Sequence, residues 1–170
     1  MSIAYETGQS LALMERWLAF CRAHGGICFV GWPDSILCEY LKFHAELGTL
    51  AWVEGASGEV TAMGIGWQCH RKDLETHWLP TNPEGECFYF AQIIWTDSAA
   101  LVPLLHLWTE RFPNWRQLQI WIRRRGKVRR IPHRLLVKML KVAVRKFHRN
   151  DGIGIPASER HYERALAAVR

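Results

Sequence analysis

Residues 86–131 read ECFYFAQIIWTDSAALVPLLHLWTERFPNWRQLQIWIRRRGKVRRI, and this stretch decides the fold. Glu86 to Trp95 is a run of aromatic and β-branched residues, with Phe88, Tyr89, Phe90, Ile93 and Ile94 leaving neither face polar. Such a run suits a central strand buried on both sides. Thr96, Asp97 and Ser98 follow, and Asp97 or Ser98 is placed to cap a helix. Leu101, Leu104, Leu105, Trp108 and Phe112 then recur at helical spacing and give one apolar stripe. Pro103 lies slightly deep for a helix capped at 97–98, which implies an irregular start. Phe112-Pro113-Asn114 stops the helix. Leu118, Ile120 and Ile122 alternate with Gln117, Gln119 and Trp121, the period of a second strand. A strand–helix–strand connection of this length predicts a parallel crossover.

Working outward, Gly126 turns the second strand into a third, Lys127 to Ile131, and Pro132 opens a basic helix to about His148. Its apolar positions are Leu135, Leu136, Met139, Leu140, Ala143 and Phe147. Ser158 caps a last short helix, Glu159 to Val169. Toward the N-terminus, Thr49–Val53 and Glu59–Trp67 read as an antiparallel hairpin around Glu54-Gly55-Ala56-Ser57-Gly58. Gly64 and Gly66 inside its second strand point to a bulge or a close backbone approach. A helix capped by Ser10, carrying Leu11, Met14, Trp17, Leu18 and Cys21, ends at Gly25-Gly26. Ile27–Val30 is a candidate edge strand. Trp32-Pro33-Asp34-Ser35 is a turn and cap for a second helix with Ile36, Leu37, Tyr40, Leu41 and Phe43. Residues 68–85 form a long polar loop, which marks it as functional or mobile. The expectation is one α/β (α+β) domain over 1–170, a mixed sheet flanked by helices.

Composition bounds the function classes. Nine Trp and 49% hydrophobic residues belong to a folded chain. The N-terminus MSIAYETGQS lacks the basic and apolar regions of a secretory signal, and no stretch is long and apolar enough to span a membrane. The five Cys are odd in number and form no CxxC, the pattern of buried thiols in a reducing compartment, so a cytoplasmic location is expected. Cys69, His70, His77 and Cys87 fit no closed four-ligand metal set. The net charge of +6 is concentrated: residues 123–149 hold many Lys and Arg and no acidic residue. Arg123-Arg124-Arg125-Gly126-Lys127-Val128-Arg129-Arg130 admits three readings: a solvated edge hairpin, a nucleic-acid face with Trp115 and Trp121 as stacking platforms, or a cradle for coenzyme phosphates or an acidic partner.

The order of elements resembles the GNAT acyltransferase fold, and most nearly the RTX toxin-activating lysine acyltransferase branch. The residues that carry the resemblance are Val60-Thr61-Ala62-Met63-Gly64-Ile65-Gly66-Trp67, then Phe88-Tyr89-Phe90-Ala91-Gln92-Ile93-Ile94, then Arg111-Phe112-Pro113. The likeness spans about residues 35–131. It implies an acyltransferase that moves an acyl group from acyl-CoA, or from an acyl carrier protein, to an amine acceptor. The pyrophosphate would lie at the helix start formed by Asp97, Ser98, Ala99, Ala100 and Leu101, with Arg123, Arg124, Arg125 and Lys127 supplying positive charge. Trp95-Thr96-Asp97-Ser98-Ala99-Ala100 stands where GNAT enzymes carry Arg/Gln-x-x-Gly-x-Gly/Ala. Gln92 stands where the toxin-activating branch carries Asp, and no His precedes the second helix more closely than His24. Gln92 is no general base, so the acid–base candidates are Glu86, Tyr89 and His24. The alternative is an inactive module on the same fold that binds nucleic acid or an acidic protein through 123–149.

Overall fold

The computed structural model describes residues 7–96, 98–138 and 141. Its elements are helices α1 (Thr7–His24) and α2 (Asp34–Glu46), strands β1 (Leu50–Glu54), β2 (Val60–Cys69) and β3 (Cys87–Trp95), helix α3 (Ser98–Arg111), and strands β4 (Gln119–Arg124) and β5 (Lys127–Ile131). Residues 133–138 are again helical. The strands form one mixed sheet in the order β1-β2-β3-β4-β5. Only β3 and β4 are parallel, joined through α3; the other neighbouring pairs are antiparallel. This is the α/β class expected.

Strand alternation divides the apolar side chains between two layers. Trp17, Phe20 and Cys21 of α1, with Leu37, Tyr40 and Leu41 of α2, pack on Met63, Ile65, Trp67 and Tyr89. On the other face Leu101, Leu104, Leu105, Trp108 and Phe112 of α3 pack on Ala62, Phe88, Phe90 and Ile120, joined by Leu136. The stripe of α3 is therefore the one its spacing predicts, and Pro103 is accommodated inside an unbroken helix.

Several local expectations are corrected. Helix α1 begins at Thr7, a turn before Ser10, which therefore lies inside the helix rather than at its start. Leu11, Ile36 and Leu135 are exposed at 65%, 41% and 46%; Leu13, Phe20 and Leu136 hold the core positions instead. Gly26–Phe29 winds as a 3-10 turn rather than a strand. The backbone explains it: Gly25 N–H bonds back to Cys21 O and Cys28 N–H to Gly25 O, which continues the curl of α1. Asp34 and Ser35 provide no side-chain cap for α2. Asp34 instead accepts from Arg22 Nε at 2.9 Å, while Arg22 also donates to the Phe29 and Trp32 carbonyls, fixing the α1–α2 corner. The helices expected beyond residue 141 lie outside the described residues.

Between Ile65 and Gly66 of β2 the register on β3 jumps from Gln92 to Phe90. One extra residue on β3, Ala91, makes a bulge there. Gly66 is required beside it: a Cβ at that position would lie 2.9 Å from Tyr89 O and 3.1 Å from the Phe88 ring. Gly66→Ala should therefore destabilise the fold by about 2–3 kcal/mol, because neighbouring backbone must move to admit a methyl group. Urea denaturation checks this; a loss below about 0.5 kcal/mol, within the range of an inert surface change, would show the strands free to spread.

Candidate functional site

The parallel pairing of β3 and β4 runs from Cys87↔Gln119 to Phe90↔Ile122 and then stops. Both strands continue. Ala91–Trp95 prolong β3 by roughly 16 Å at strand rise, and Arg123–Arg124 prolong β4. The two carboxyl ends thus part at the bulge, and in sheets of this kind ligands bind beyond the carboxyl ends of parallel strands. Past the split, β4 turns into β5 through Arg125 and Gly126, with φ of 51° and 73°. Positive φ at both central residues is the signature of a two-residue I′ hairpin.

Tyr89 is buried on the α1/α2 side of the split, with its ring edge-on to Trp67 at 5.3 Å. Burial pushes its phenol up to about 12, partly opposed by the Arg123 guanidinium, so it is protonated at neutral pH. Arg123 is half-buried and donates from Nη1 to His77 Nε2 at 2.6 Å. A guanidinium only donates, so His77 is neutral, with its proton on Nδ1. Burial, then Arg123, lower the His77 pKa.

The His77 carbonyl is 2.9 Å from His44 Nε2, and His44 Nδ1 is 2.7 Å from Thr49 Oγ1. A carbonyl only accepts, so Nε2 of His44 carries the proton and Nδ1 accepts from Thr49. His44 is fully buried and stacked on Trp67 at 5.0 Å. Burial lowers its pKa to about 4 despite the His77 carbonyl. Arg123, His77, His44 and Thr49 therefore form one relay that ties β4, the 70–86 loop, α2 and the start of β1 together.

The other expected site residues are distributed as follows. Gln92 is buried at the bulge, beside the split. Glu86 precedes β3 at the opposite end of the sheet, where it accepts from Arg71 N–H and from His70, both at 2.9 Å. The Arg71 N–H, then its own backbone N–H and the His70 ring, hold its carboxyl down to about 2; it anchors the loop. His24 is exposed at the end of α1, its ring 5.0 Å from Phe20. Asp97 lies outside the described residues. Ser98 opens α3, Ala99 is half-buried, and Ala100 and Leu101 are buried against the sheet. Arg124, Arg125 and Lys127 are exposed at the hairpin.

The split thus gathers Tyr89, Gln92 and Arg123 from the expected set, with the start of α3 and the basic hairpin at the same end of the sheet, and leaves Glu86 outside. Sequence reasoning missed Tyr40, His44 and His77 as parts of one unit. The only signal was the length of the 68–85 loop and the Tyr40/His44 spacing on α2. Among the described residues no group of three or more His, Cys, Asp or Glu is gathered to hold a metal ion, and no helix is long and apolar enough to cross a membrane. Set against models of known families, curated proteins and solved structures, the chain matches none.

The neutral His44 makes stability pH-dependent. Its folded pKa, about 4, is below the ordinary value of 6.5. Its share of stability is full above pH 6.5 and is lost as pH falls toward 4, about 3 kcal/mol in all. Urea denaturation at pH 7 and pH 4.5 should show most of that loss in the native sequence and a clearly smaller one in His44→Gln. Equal losses in both would remove His44 as the cause. Glu86 acts in a separate window, from its ordinary 4.5 down to about 2.

Proposed function

We propose that the protein is an acyltransferase-like protein of GNAT type that binds acyl-CoA, or an acylated carrier, in the split between β3 and β4. The carrying observation is that pairing ends at Phe90↔Ile122 while both strands run on. Backbone groups of Ala91–Trp95 then have no β4 partner, and a pantetheine arm is an extended, amide-bearing chain of the kind that adds to such an edge. The phosphates of the coenzyme would meet the start of α3, where the helix dipole favours anions, and the exposed Arg124, Arg125 and Lys127. Acyl carrier proteins are acidic, and the same basic face would suit one.

In the transfer, the acceptor amine bonds to the thioester carbon, the C–S bond breaks, and the departing sulfur takes a proton. Tyr89, protonated at neutral pH, would donate a hydrogen bond or that proton, and the surplus proton of the amine would restore it. The amine arrives as the free base: His77 is neutral with its acceptor nitrogen engaged by Arg123, and Glu86 is at the far end.

A second reading draws on the hairpin itself. Arg71 lies over the Trp121 ring at 5.5 Å, and Arg130 is the cross-strand partner of Trp121. A flat ring flanked by guanidinium groups beside exposed Arg124, Arg125 and Lys127 suits nucleic acid.

Isothermal titration with acetyl-CoA and dodecanoyl-CoA, with a DNA duplex in parallel, separates the readings. The acyl-CoA reading expects saturable one-to-one binding, weakened tenfold or more by Arg124→Glu combined with Lys127→Glu. No binding of either thioester or of an acylated carrier overturns it. Duplex binding whose log affinity falls with log salt at a slope of about −5, as for ~6 phosphate contacts, establishes the second reading.

A further inference from the structure

The 70–86 loop closes over a group of buried donors that has no acceptor. The Tyr40 hydroxyl and Nδ1 of His77 are buried and make no hydrogen bond, and the buried Tyr89 hydroxyl, which accepts from Arg123, finds no acceptor for its own proton. By the tautomer argument above, Nδ1 of His77 carries a proton, so it too is a donor. Arg123 donates to the neutral His77 ring and has no carboxylate partner among the described residues. A buried donor without an acceptor is costly, so the group favours any acceptor that reaches it.

The donors converge. Tyr40 and His77 have ring centroids 6.3 Å apart. Arg123 reaches both the His77 ring and the Tyr89 hydroxyl. The surroundings are aromatic: Trp32 is 5.2 Å from Tyr40 and 5.6 Å from His77, Trp67 is 5.3 Å from Tyr89, and the half-exposed Trp78 is 5.4 Å from Tyr40. Loop and sheet meet here through His77 and Trp78 on the one side and Arg123 and Tyr89 on the other.

We infer that Arg123, Tyr40, Tyr89 and the Nδ1–H of His77 form a binding site for the carboxylate of a small organic acid with an aromatic or apolar body. One guanidinium and three neutral donors match a single negative charge on an acceptor-only group. A phosphate would bring more charge than one cation neutralises, and an ammonium would be repelled by Arg123. The aromatic walls take the body of the acid. Entry is from the loop side, with the segment that carries His77 and Trp78 moving outward. The loop stays attached at its ends, through Glu86 to Arg71 N–H and through Gln68 Nε2 to the Pro83 and Gly85 carbonyls. The site stands whether or not the chain transfers acyl groups; were it to do so, this carboxylate would belong to the acceptor or to the acyl group.

The test uses the full chain, tryptophan fluorescence, and sodium benzoate against benzamide, its neutral analogue, at constant ionic strength. Saturable benzoate binding is expected, with benzamide binding at least tenfold weaker. Arg123→Met should weaken benzoate tenfold or more. Tyr40→Phe and Tyr89→Phe should each weaken it about three- to tenfold, the range of one hydrogen bond, and Tyr40→Phe should leave the unfolding temperature unchanged or raised, since it removes an unpartnered hydroxyl. Should Arg123→Met not fold, the two Tyr variants and the benzamide comparison still decide. Absent saturation, equal binding of benzamide, or benzoate affinity unmoved by the Tyr→Phe changes overturns the site. A marked loss of thermal stability in Tyr40→Phe also overturns it, because it would mean that this hydroxyl is already satisfied by bound water. Neither benzoate nor benzamide carries a thioester or a phosphate, so this outcome is separate from that of the acyl-CoA titration.

Discussion

Four residue pairs, Cys87↔Gln119 through Phe90↔Ile122, join the two halves of the sheet. Within the sheet, β4 and β5 are hydrogen-bonded to the other three strands through this short parallel ladder. It needs the crossover helix to cover one face, because parallel strands are stable only when both faces are dry. It is also what lets β3 and β4 part: a longer ladder would close the split, and a shorter one would detach the hairpin. The bulge at Ala91 falls one residue past the last pair, so the kink of β3 and the end of the ladder are one event. Gly66, with backbone at 2.9 Å from any added Cβ, is the space that event requires.

The strand–helix–strand unit was legible because its signals were local and redundant. Continuous apolar character marked β3, a 3.6-residue stripe marked α3, alternation marked β4, and Arg111-Phe112-Pro113 marked the stop. The hairpin β1–β2 and the significance of Gly64 and Gly66 were equally local. Where reading failed, tertiary contacts had overruled local preference. Asp34 looks like a cap but is held by Arg22 across the α1–α2 corner. Ile27–Val30 looks like a strand but is drawn into a curl by the end of α1.

The candidate site was legible in part. Tyr89, Gln92 and Arg123 were named from the strands on which they sit, and their meeting follows from the parallel pairing. Glu86 was named from the same strand, yet pairing direction sends it to the opposite end. His77 and Tyr40 carried no signal of their own, since a histidine in a polar loop and a tyrosine on a helix face have no period that links them. Their partnership depends on the loop folding back onto α2, which rests on long-range hydrogen bonds such as His44 Nε2–H to His77 O.

The placement of β3 at the centre also sets the cost of assembling the chain. β1, β2 and β3 form a meander, with antiparallel neighbours adjacent in sequence, and the hairpin β4–β5 closes over two residues. Among the described strands, the junction between these two units is the pairing that must wait for an intervening helix. Loop-closure entropy rises with the separation it spans, so the split in the sheet coincides with the most expensive seam in the fold. The place where the strands stay open in the finished molecule is also the place where they have the least reason to meet early.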